Sequence, residues 1–290
     1  DPVRLPAYAG SAWRGVFGRA LKRLVCVTRE PTCPPCLLYR SCIYPYLFET
    51  PTDPTAGKLR KYPTAPHPYV LRPSAGGSHS SGAAVGLEMV LFGQGNRHLP
   101  YVLHAFDRAV QRGIGPNAGR LELSQVAQQT PDGGWQPIYR PGEPLQPAPP
   151  FAPNPPPCPE RLTVVLGTPL RLRQAEKLIG PDDFRFGALF SNLLRRISLL
   201  TTFHTDAPLA ADFAGLTRAA GAVRITTARL RWHDWTRYSS RQDALLQMGG
   251  LVGEFELSDI GLKPFWPYLW LGQWTHALSL IHISEPTRRT

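Results

Sequence analysis

The chain has 290 residues, of which 42% are hydrophobic and 18% are charged, and its 32 Lys and Arg against 21 Asp and Glu give a formal net charge of +11. This composition excludes a wholly disordered chain, the length allows two ordinary domains, and no apolar run approaches the 18 residues that a membrane-spanning helix needs. The positive charge favours a polyanionic partner, nucleic acid first and an anionic membrane surface second, with a solvated basic surface as the alternative.

The first predicted helix lies in the segment SAWRGVFGRALKRLVC, residues 11–26. Its apolar residues recur at helical spacing on one face, which we expect to be buried. The rest of the helical wheel carries four basic residues. We predict that these four bind nucleic-acid phosphates: Arg14, Arg19, Lys22 and Arg23.

The remainder of the first half alternates between strands and a helix. The runs YVLRP and AVGLEMVLFG are typical of strands, separated by a Gly/Ser turn at 75–83. LPYVLHAFDRAVQRG has a helical apolar face, and it is followed by the glycine-rich loop GIGPNAG and by RLELSQV, an alternating strand. With DPVRLPA as the remnant of a first strand, the order is βαββαβ.

Proline divides the chain, since ten of the 19 residues from Pro141 to Pro159 are proline. Proline removes the amide donor and fixes φ, so we predict a semi-rigid linker at 141–160. The second half repeats the order, with a strand in RLTVVLGTPLRLR, a helix in FRFGALFSNLLRRISLLTTF, strands in VRITTARLRW and GGLVGEFELS, and an aromatic-rich helical or irregular segment, LKPFWPYLWLGQW.

These patterns predict an α+β fold with two tandem ferredoxin-like (RRM-like, βαββαβ) domains, at residues 1–140 and 161–277. A Cys-rich insertion at 26–50 interrupts the first domain. The open sheet face of this topology is a frequent platform for single-stranded RNA, although the fold by itself does not assign a function.

Four of the five cysteines lie within 17 residues: Cys26, Cys33, Cys36 and Cys42. Four thiolates complete a closed tetrahedral shell around Zn²⁺, so we predict a structural zinc that pins this loop. An iron–sulfur cluster is the less favoured metal, and a redox-active pair or plain reduced thiols are the alternatives. Cys158 stands alone in the linker, where we expect it to be inert.

The loop GIGPNAG offers a possible phosphate contact through Gly113, Gly115 and Gly119. Glycine lets a backbone approach a phosphate closely and presents unhindered amides. The alternative is a tight helix–strand connection. The loop does not follow a strand and open a helix, which excludes the dinucleotide-binding fingerprint.

The densest polar segment is WHDWTRYSSRQ, residues 232–242. Guanidinium groups bind phosphates and aromatic rings stack on unpaired bases, so we predict that Arg237, Arg241 and Gln242 bind RNA. The alternative is a polar hairpin turn whose aromatic residues close the edge of a core.

Taken together, these motifs resemble one family. AGSAWRGVFGRAL, the four-Cys loop ending in CIYPYLFET, the P-x-P-Y-V-L strand, GIGPNAG, and WHDWTRYSSRQ followed by MGGLVGE are similar, in that order across residues 3–277, to CRISPR-associated precursor-RNA-processing endoribonucleases of the RAMP superfamily. The resemblance implies a prokaryotic cytoplasmic protein that binds CRISPR repeat RNA and cuts it without a catalytic metal. Other CRISPR effector subunits are further expected partners.

Family members usually close with a segment resembling LHVGKGTTFGLG and a final strand, whereas the match here stops at 273–277. Residues 278–290 (LSLIHISEPTRRT) resemble the in-frame translation of a sequencing-library adapter found in assembled metagenomes, and we exclude them from the fold. A native polar tail is the alternative. The opening residues lack both a starting Met and a secretory pattern, so we expect a chain that is cut at both ends.

The family's chemistry implies attack by the RNA 2′-hydroxyl on the adjacent phosphate, which leaves a 2′,3′-cyclic phosphate. This reaction needs a base, an acid and a cation facing the developing charge. His276 is the first candidate for proton transfer and Tyr238 the second, with Arg237 and Arg241 as phosphate clamps. A structural cap is the alternative role for His276. Two other readings of the whole chain are a non-catalytic RAMP subunit that holds guide RNA and a zinc-stabilised DNA-binding regulator.

Overall fold

A computed structural model describes residues 1–51, 65–174, 177–239, 244–258 and 261–276. The chain forms two compact units, one spanning Asp1–Pro153 and the other beginning at Asn154. The boundary between them falls inside the predicted linker at 141–160. Within the described ranges, no helix is both long enough and apolar enough to cross a membrane.

Outside residues 52–64, the first unit contains three antiparallel strand pairs and three α-helices. The strands pair as β1 with β3, β2 with β4 and β5 with β6. In chain order the elements are β1 (Val3–Leu5), α1 (Gly10–Val25), α2 (Ile43–Phe48), β2 (Tyr69–Pro73), β3 (Gly77–His79), β4 (Leu87–Leu91), a 3₁₀ helix (Gly93–His98), α3 (Leu99–Arg112), β5 (Val126–Gln129) and β6 (Trp135–Tyr139).

The predicted apolar face of α1 is buried, and it packs on α3. Phe17 is fully buried and stacks on Phe106 of α3, with ring centroids 4.4 Å apart. Phe17 also meets Tyr69 of β2 edge to face at 5.9 Å. The sequence periodicity therefore identified both helices and the faces that join them.

Two predictions for the first unit are wrong. RLELSQV does not form a strand: Leu121 donates its amide to the carbonyl oxygen of Val110, so the chain folds back on the end of α3 before β5 begins. The Gly/Ser segment at 75–83 is more than a turn, because it contains β3, which pairs with β1 from Val3 opposite His79. Backbone pairing with a strand far along the chain outweighs the weak strand preference of Gly and Ser.

The second unit is built on a three-stranded antiparallel sheet of order β10–β11–β7. The hairpin strand β11 lies between the other two, as the third strand does in the ferredoxin-like arrangement. The elements are β7 (Arg161–Leu170), β8 (Arg173–Gln174), β9 (Lys177–Leu178), α4 (Phe186–His204), α5 (Phe213–Ala222), β10 (Ile225–Ser239), β11 (Ala244–Ser258) and α6 (Trp266–Thr275).

One face of this sheet carries the core of the second unit. Alternate residues of β7 and β11 pack with the apolar stripe of α4 and with the start of α6. Phe190 meets Phe265 edge to face at 4.7 Å, which fixes where α6 begins relative to α4. The predicted strands and helix are confirmed here, α6 turns out to be helical, and α5 and the short pair β8–β9 were not anticipated.

Candidate nucleic-acid interface

The two faces of β10 have different chemistry, because successive side chains of a strand point to opposite sides. Leu230 and Trp232 lie on the core side and pack against the core of the second unit. Trp232 donates a hydrogen bond from Nε1 to Asp234 Oδ1 at 2.8 Å. Gly249 is the cross-strand partner of Asp234, and a Cβ there would lie 2.4 Å from Asp234 Oδ1, so a side chain at this position would displace the Trp232–Asp234 pair.

The other face of β10 is basic and aromatic. Arg229, Arg231, His233 and Trp235 alternate along it, and none of them belongs to the core. Arg171, just after β7, reaches the same face: its Nη1 lies 3.9 Å from the sulfur of Met248, which is opposite Trp235 in the ladder. We call Arg171, Arg231, His233 and Trp235 the hairpin patch.

Of the four residues predicted from WHDWTRYSSRQ, two lie in the described backbone. Arg237 and Tyr238 continue β10, opposite Leu246 and Leu245. The positions predicted as Arg241 and Gln242 lie outside the described residues. The segment is thus the distal part of a long hairpin. The sequence patterns alone did not single out Arg171 or Arg231, although the period-two alternation of RLRWHDW is a signal for Arg231.

His276 lies at the end of α6, where its side chain is 5% exposed. Its backbone adopts φ 59°, a left-handed conformation that is uncommon outside glycine, and its amide donates to Gly272 O at 2.9 Å. In the structure described, the imidazole is therefore not on the surface, and the position is that of a helix cap. The proton-transfer role predicted for His276 stays a prediction.

Thr275, the residue before His276, accepts a hydrogen bond from a buried arginine of α4. Arg196 is 5% exposed, and its Nε donates a hydrogen bond to the carbonyl oxygen of Thr275. Burial lowers the pKa of Arg196 to about 10, so the guanidinium is still charged at neutral pH. A cation at the carboxyl end of a helix interacts favourably with the helix dipole.

The four basic residues predicted on α1 fall into two groups. Arg19 and Arg23 are exposed. Lys22 donates to Pro31 O at 3.0 Å, and Arg14 lies 5.2 Å from the ring centre of Phe48. The predicted basic surface is therefore narrower than the helical wheel suggested.

Arg14 belongs to a partly buried series of hydrogen bonds. Its Nη2 lies 3.4 Å from His67 Nε2, and because a guanidinium only donates, this nitrogen of His67 accepts. The proton of His67 then sits on Nδ1, which lies 3.0 Å from Thr50 Oγ1. Thr50 in turn donates to Tyr46 O at 3.2 Å. These hydrogen bonds connect α1 and the end of α2 to the segment before β2.

The glycines of GIGPNAG pack closely on the main chain. A Cβ on Gly115 would lie 2.0 Å from Arg4 O, and one on Gly119 would lie 2.5 Å from Pro2 O. Asn117 completes the join, since it accepts from the Arg4 amide at 3.0 Å and donates to Pro2 O at 2.9 Å. This geometry favours the tight-connection alternative for the three glycines. Phosphate binding by Gly113, Gly115 and Gly119 stays a prediction.

The four clustered cysteines line one pocket of the first unit: Cys26, Cys33, Cys36 and Cys42. All four are free thiols of intermediate exposure. Burial raises the pKa of Cys33 to about 11, and the nearby carboxylate of Glu49 adds to the effect. Within the described ranges, no three His, Cys, Asp or Glu side chains stand at metal-binding distances. The donor set therefore suits zinc, but the thiols have to close in to hold it.

Two family models match the chain by sequence. AF_1859_N, described as an N-terminal domain, matches residues 1–151, and the model described as CRISPR-associated endoribonuclease Cas6 matches residues 164–277. No curated protein has a significantly similar sequence.

Among solved structures, the chain is similar to the Cas6 (TTHB231) product complex, with 14% identity over 98% of this chain and 95% of that chain and a TM-score of 0.56. It is also similar to Thermus thermophilus Cas6 (TTHB231), with 14% identity over 98% of this chain and 93% of that chain and a TM-score of 0.49. The first likeness confirms the predicted α+β fold class, and the strand order of the second unit fits a ferredoxin-like domain.

Proposed function

We propose that the chain is a member of the CRISPR-associated endoribonuclease Cas6 family and that it cuts CRISPR repeat RNA to mature guide RNAs. The match of residues 164–277 to the family carries this proposal. The formal charge of +11 and the basic hairpin patch suit a polyanionic substrate. The site of action in this proposal is the prokaryotic cytoplasm, where such an RNA is transcribed.

The cut in this proposal needs no metal. The 2′-hydroxyl of the RNA attacks the adjacent phosphorus, the bond to the 5′-oxygen breaks, and the products are a 2′,3′-cyclic phosphate and a 5′-hydroxyl. A side chain takes the 2′-hydroxyl proton, another protonates the leaving oxygen, and a cation faces the extra negative charge. His276 and Tyr238 are the candidates for proton transfer, and Arg237 for the charge. Because His276 is 5% exposed, its ring meets the RNA only if the end of α6 opens.

A structural zinc belongs to the same proposal. The four thiols of Cys26, Cys33, Cys36 and Cys42 already line one pocket, and thiolates are the donors that zinc prefers in closed sites. When bound, the metal would stabilise the loop between α1 and α2 without an open position for water. The loop would then be ordered by ligation, since it has little apolar core of its own.

The decisive experiment is cleavage of a repeat RNA in the presence of EDTA. We expect a single cut whose upstream product carries a 2′,3′-cyclic phosphate, detected by its resistance to a phosphatase that removes only terminal monophosphates. The control is the same RNA with one 2′-deoxynucleotide on the 5′ side of the cut, which lacks the nucleophile and should stay intact. Binding of repeat RNA with no cleavage would instead identify a non-catalytic RAMP subunit.

A further inference from the structure

Lys22 of α1 contacts the loop that carries the four clustered cysteines. Its ammonium nitrogen donates a hydrogen bond to the carbonyl oxygen of Pro31 at 3.0 Å and lies 5.8 Å from the ring centre of Tyr44. Pro31 stands two residues before Cys33 in the chain. Lys22 is half-buried, whereas the next residue on the helix, Arg23, is exposed. The side chain of Lys22 is therefore directed at the cysteine loop.

The charge of Lys22 also stands beside the thiols. Lys22 and the four clustered cysteines line the same pocket. Its positive charge is within electrostatic range of Cys33, as is the carboxylate of Glu49, which acts on this thiol with the opposite sign. An ammonium has three N–H donors, and the hydrogen bond to Pro31 uses one of them. Lys22 thus places a cation where a bound metal would gather anionic sulfur atoms.

Thr28 makes a second contact with this cluster. Its Oγ1 lies 3.3 Å from Cys36 Sγ, which is hydrogen-bond distance for an oxygen and a sulfur. When Cys36 is a thiol, either atom could be the donor. A metal-bound sulfur is a thiolate and has no proton, so Thr28 is then the donor. The contact therefore suits the metal-bound state, in which the hydroxyl stabilises an anionic sulfur.

Four thiolates outweigh the two positive charges of Zn²⁺, so a filled site carries net negative charge. We propose that Lys22 and Thr28 stabilise the metal-bound thiolates. Thr28 donates to Cys36, and the ammonium of Lys22 offsets the charge near Cys33 while it holds the loop at Pro31. Removing a group that contacts a metal ligand from outside commonly weakens metal binding by about 10- to 100-fold. This inference rests on the zinc of the proposed function, and it assigns Lys22 to the metal in place of RNA.

The first test measures the Zn²⁺ affinity of the full chain by competition with a chromophoric chelator. Thr28→Val keeps the shape of the side chain and removes the donor, so it should weaken zinc binding by about tenfold. Thr28→Ser keeps the hydroxyl and should retain most of the affinity. Thr32→Val is the matched control and should bind zinc as the unmodified chain does. Thr32 lines the same pocket, but among the described residues it makes no hydrogen bond to a cysteine.

Lys22 and Arg23 form a matched pair with opposite expectations. Lys22→Met keeps most of the aliphatic stem and removes the charge, so zinc binding should weaken by about tenfold. With zinc in excess, its slope of log K against log salt on a single-stranded RNA should equal that of the unmodified chain. Arg23→Met removes an exposed charge instead. It should leave zinc affinity unchanged and flatten the salt slope by about 0.7.

Co²⁺ in place of zinc gives a readout that a purely structural role of Thr28 would not change. A hydroxyl that donates to a coordinating sulfur lowers the energy of the sulfur electrons. Loss of this donor should therefore move the sulfur-to-cobalt charge-transfer absorption to longer wavelength in Thr28→Val. The same absorption should stay in place in Thr28→Ser and in Thr32→Val.

Equal zinc affinities of the unmodified chain, Thr28→Val and Lys22→Met would overturn the inference and leave the zinc site itself standing. A Lys22→Met chain with full zinc affinity and a flatter salt slope would also overturn it, since Lys22 would then be an RNA-binding residue. An unmodified chain that takes up neither Zn²⁺ nor Co²⁺ would remove the zinc site and the inference together. Cleavage of repeat RNA is measured separately, so none of these outcomes bears on the nuclease.

Discussion

The guanidinium of Arg196 and the carbonyl oxygen of Thr275 form a buried hydrogen bond that joins the middle of α4 to the last residue of α6. One turn earlier on α4, Leu193 stands against Gly272, where a Cβ would lie 3.2 Å from Leu193 Cδ2. These two contacts set the position of the end of α6, and with it the backbone of His276. Any role of His276 therefore depends on α4.

We predict that Arg196→Ala lowers the free energy of unfolding of the second unit by about 2–4 kcal/mol, because it removes a buried hydrogen bond and leaves a cavity. Arg195→Ala is the matched control, since Arg195 is exposed and its hydrogen bond goes to its helical neighbour Asn192, and it should change stability by less than about 0.5 kcal/mol. Chemical unfolding followed by tryptophan fluorescence measures both. Equal effects of the two variants would contradict this account.

Tyr69 makes the first unit sensitive to alkali. It is fully buried, and burial raises its pKa from 10.0 to about 12. Above pH 10 the unfolded chain loses this proton while the folded chain keeps it, so the free energy of unfolding should fall between pH 10 and pH 12 and be unaffected by this group below pH 10. Burial also raises the pKa of Tyr46 to about 12. Tyr69→Phe should therefore flatten the alkaline fall without abolishing it. A pH series of thermal unfolding that shows the same slope for both proteins would refute the prediction.

Substitutions at Gly115 and Gly133 should distinguish the cost of steric overlap from the cost of backbone strain. Both have positive φ, 79° and 88°, but a Cβ on Gly115 would lie 2.0 Å from Arg4 O, whereas one on Gly133 meets nothing within 4 Å. Gly133→Ala should cost about 1–2 kcal/mol, the usual penalty of a left-handed non-glycine residue. Gly115→Ala should cost clearly more, about 4 kcal/mol, an exceptional value for one substitution. Thermal denaturation of the two variants decides between packing and conformational freedom as the main demand on the GIGPNAG loop.

The zinc proposal predicts about one zinc per chain by elemental analysis of protein purified without chelators. Cys33→Ser should lose the metal and destabilise the first unit, while the position of the cut in the RNA stays the same, because the metal's role is structural. Cys158→Ser, which changes the cysteine outside the cluster, should keep the full metal content. Four freely titrating thiols in metal-free, anaerobically purified protein would argue for plain reduced cysteines.

The basic face of α1 should show itself in the salt dependence of RNA binding. Arg19→Ala and Arg23→Ala each remove an exposed charge, so each should flatten log K against log salt by about 0.7 on a single-stranded RNA. Arg14→Ala should instead lower thermal stability, since Arg14 contacts His67 and Phe48 inside the unit. If Arg14→Ala changed the slope of log K against log salt and left thermal stability unchanged, Arg14 would be an RNA-binding residue as first predicted.

Periodicity in the sequence was enough to identify the elements whose packing face is built from near neighbours. The apolar stripes of α1, α3 and α4 repeat within a few turns, and each of these helices forms where the stripe predicts it. The family likewise followed from motifs that are contiguous in the chain. The four-Cys cluster could be recognised for the same reason, since its members lie within 17 residues.

Other features depend on partners far along the chain, and only the tertiary structure decided them. β3 exists because Val3 and His79 pair across more than 70 residues, and RLELSQV is no strand because Leu121 bonds the end of α3. On a helical wheel Arg14 and Arg19 are both predicted to bind RNA, but in the structure Arg14 contacts His67 whereas Arg19 is exposed. Arg171 joins the hairpin patch through the pairing of β7 with β11, not through its own neighbours. Local periodicity specifies which residues form a face; the free energy of burying that face against a distant segment decides which of its side chains remain available to a ligand.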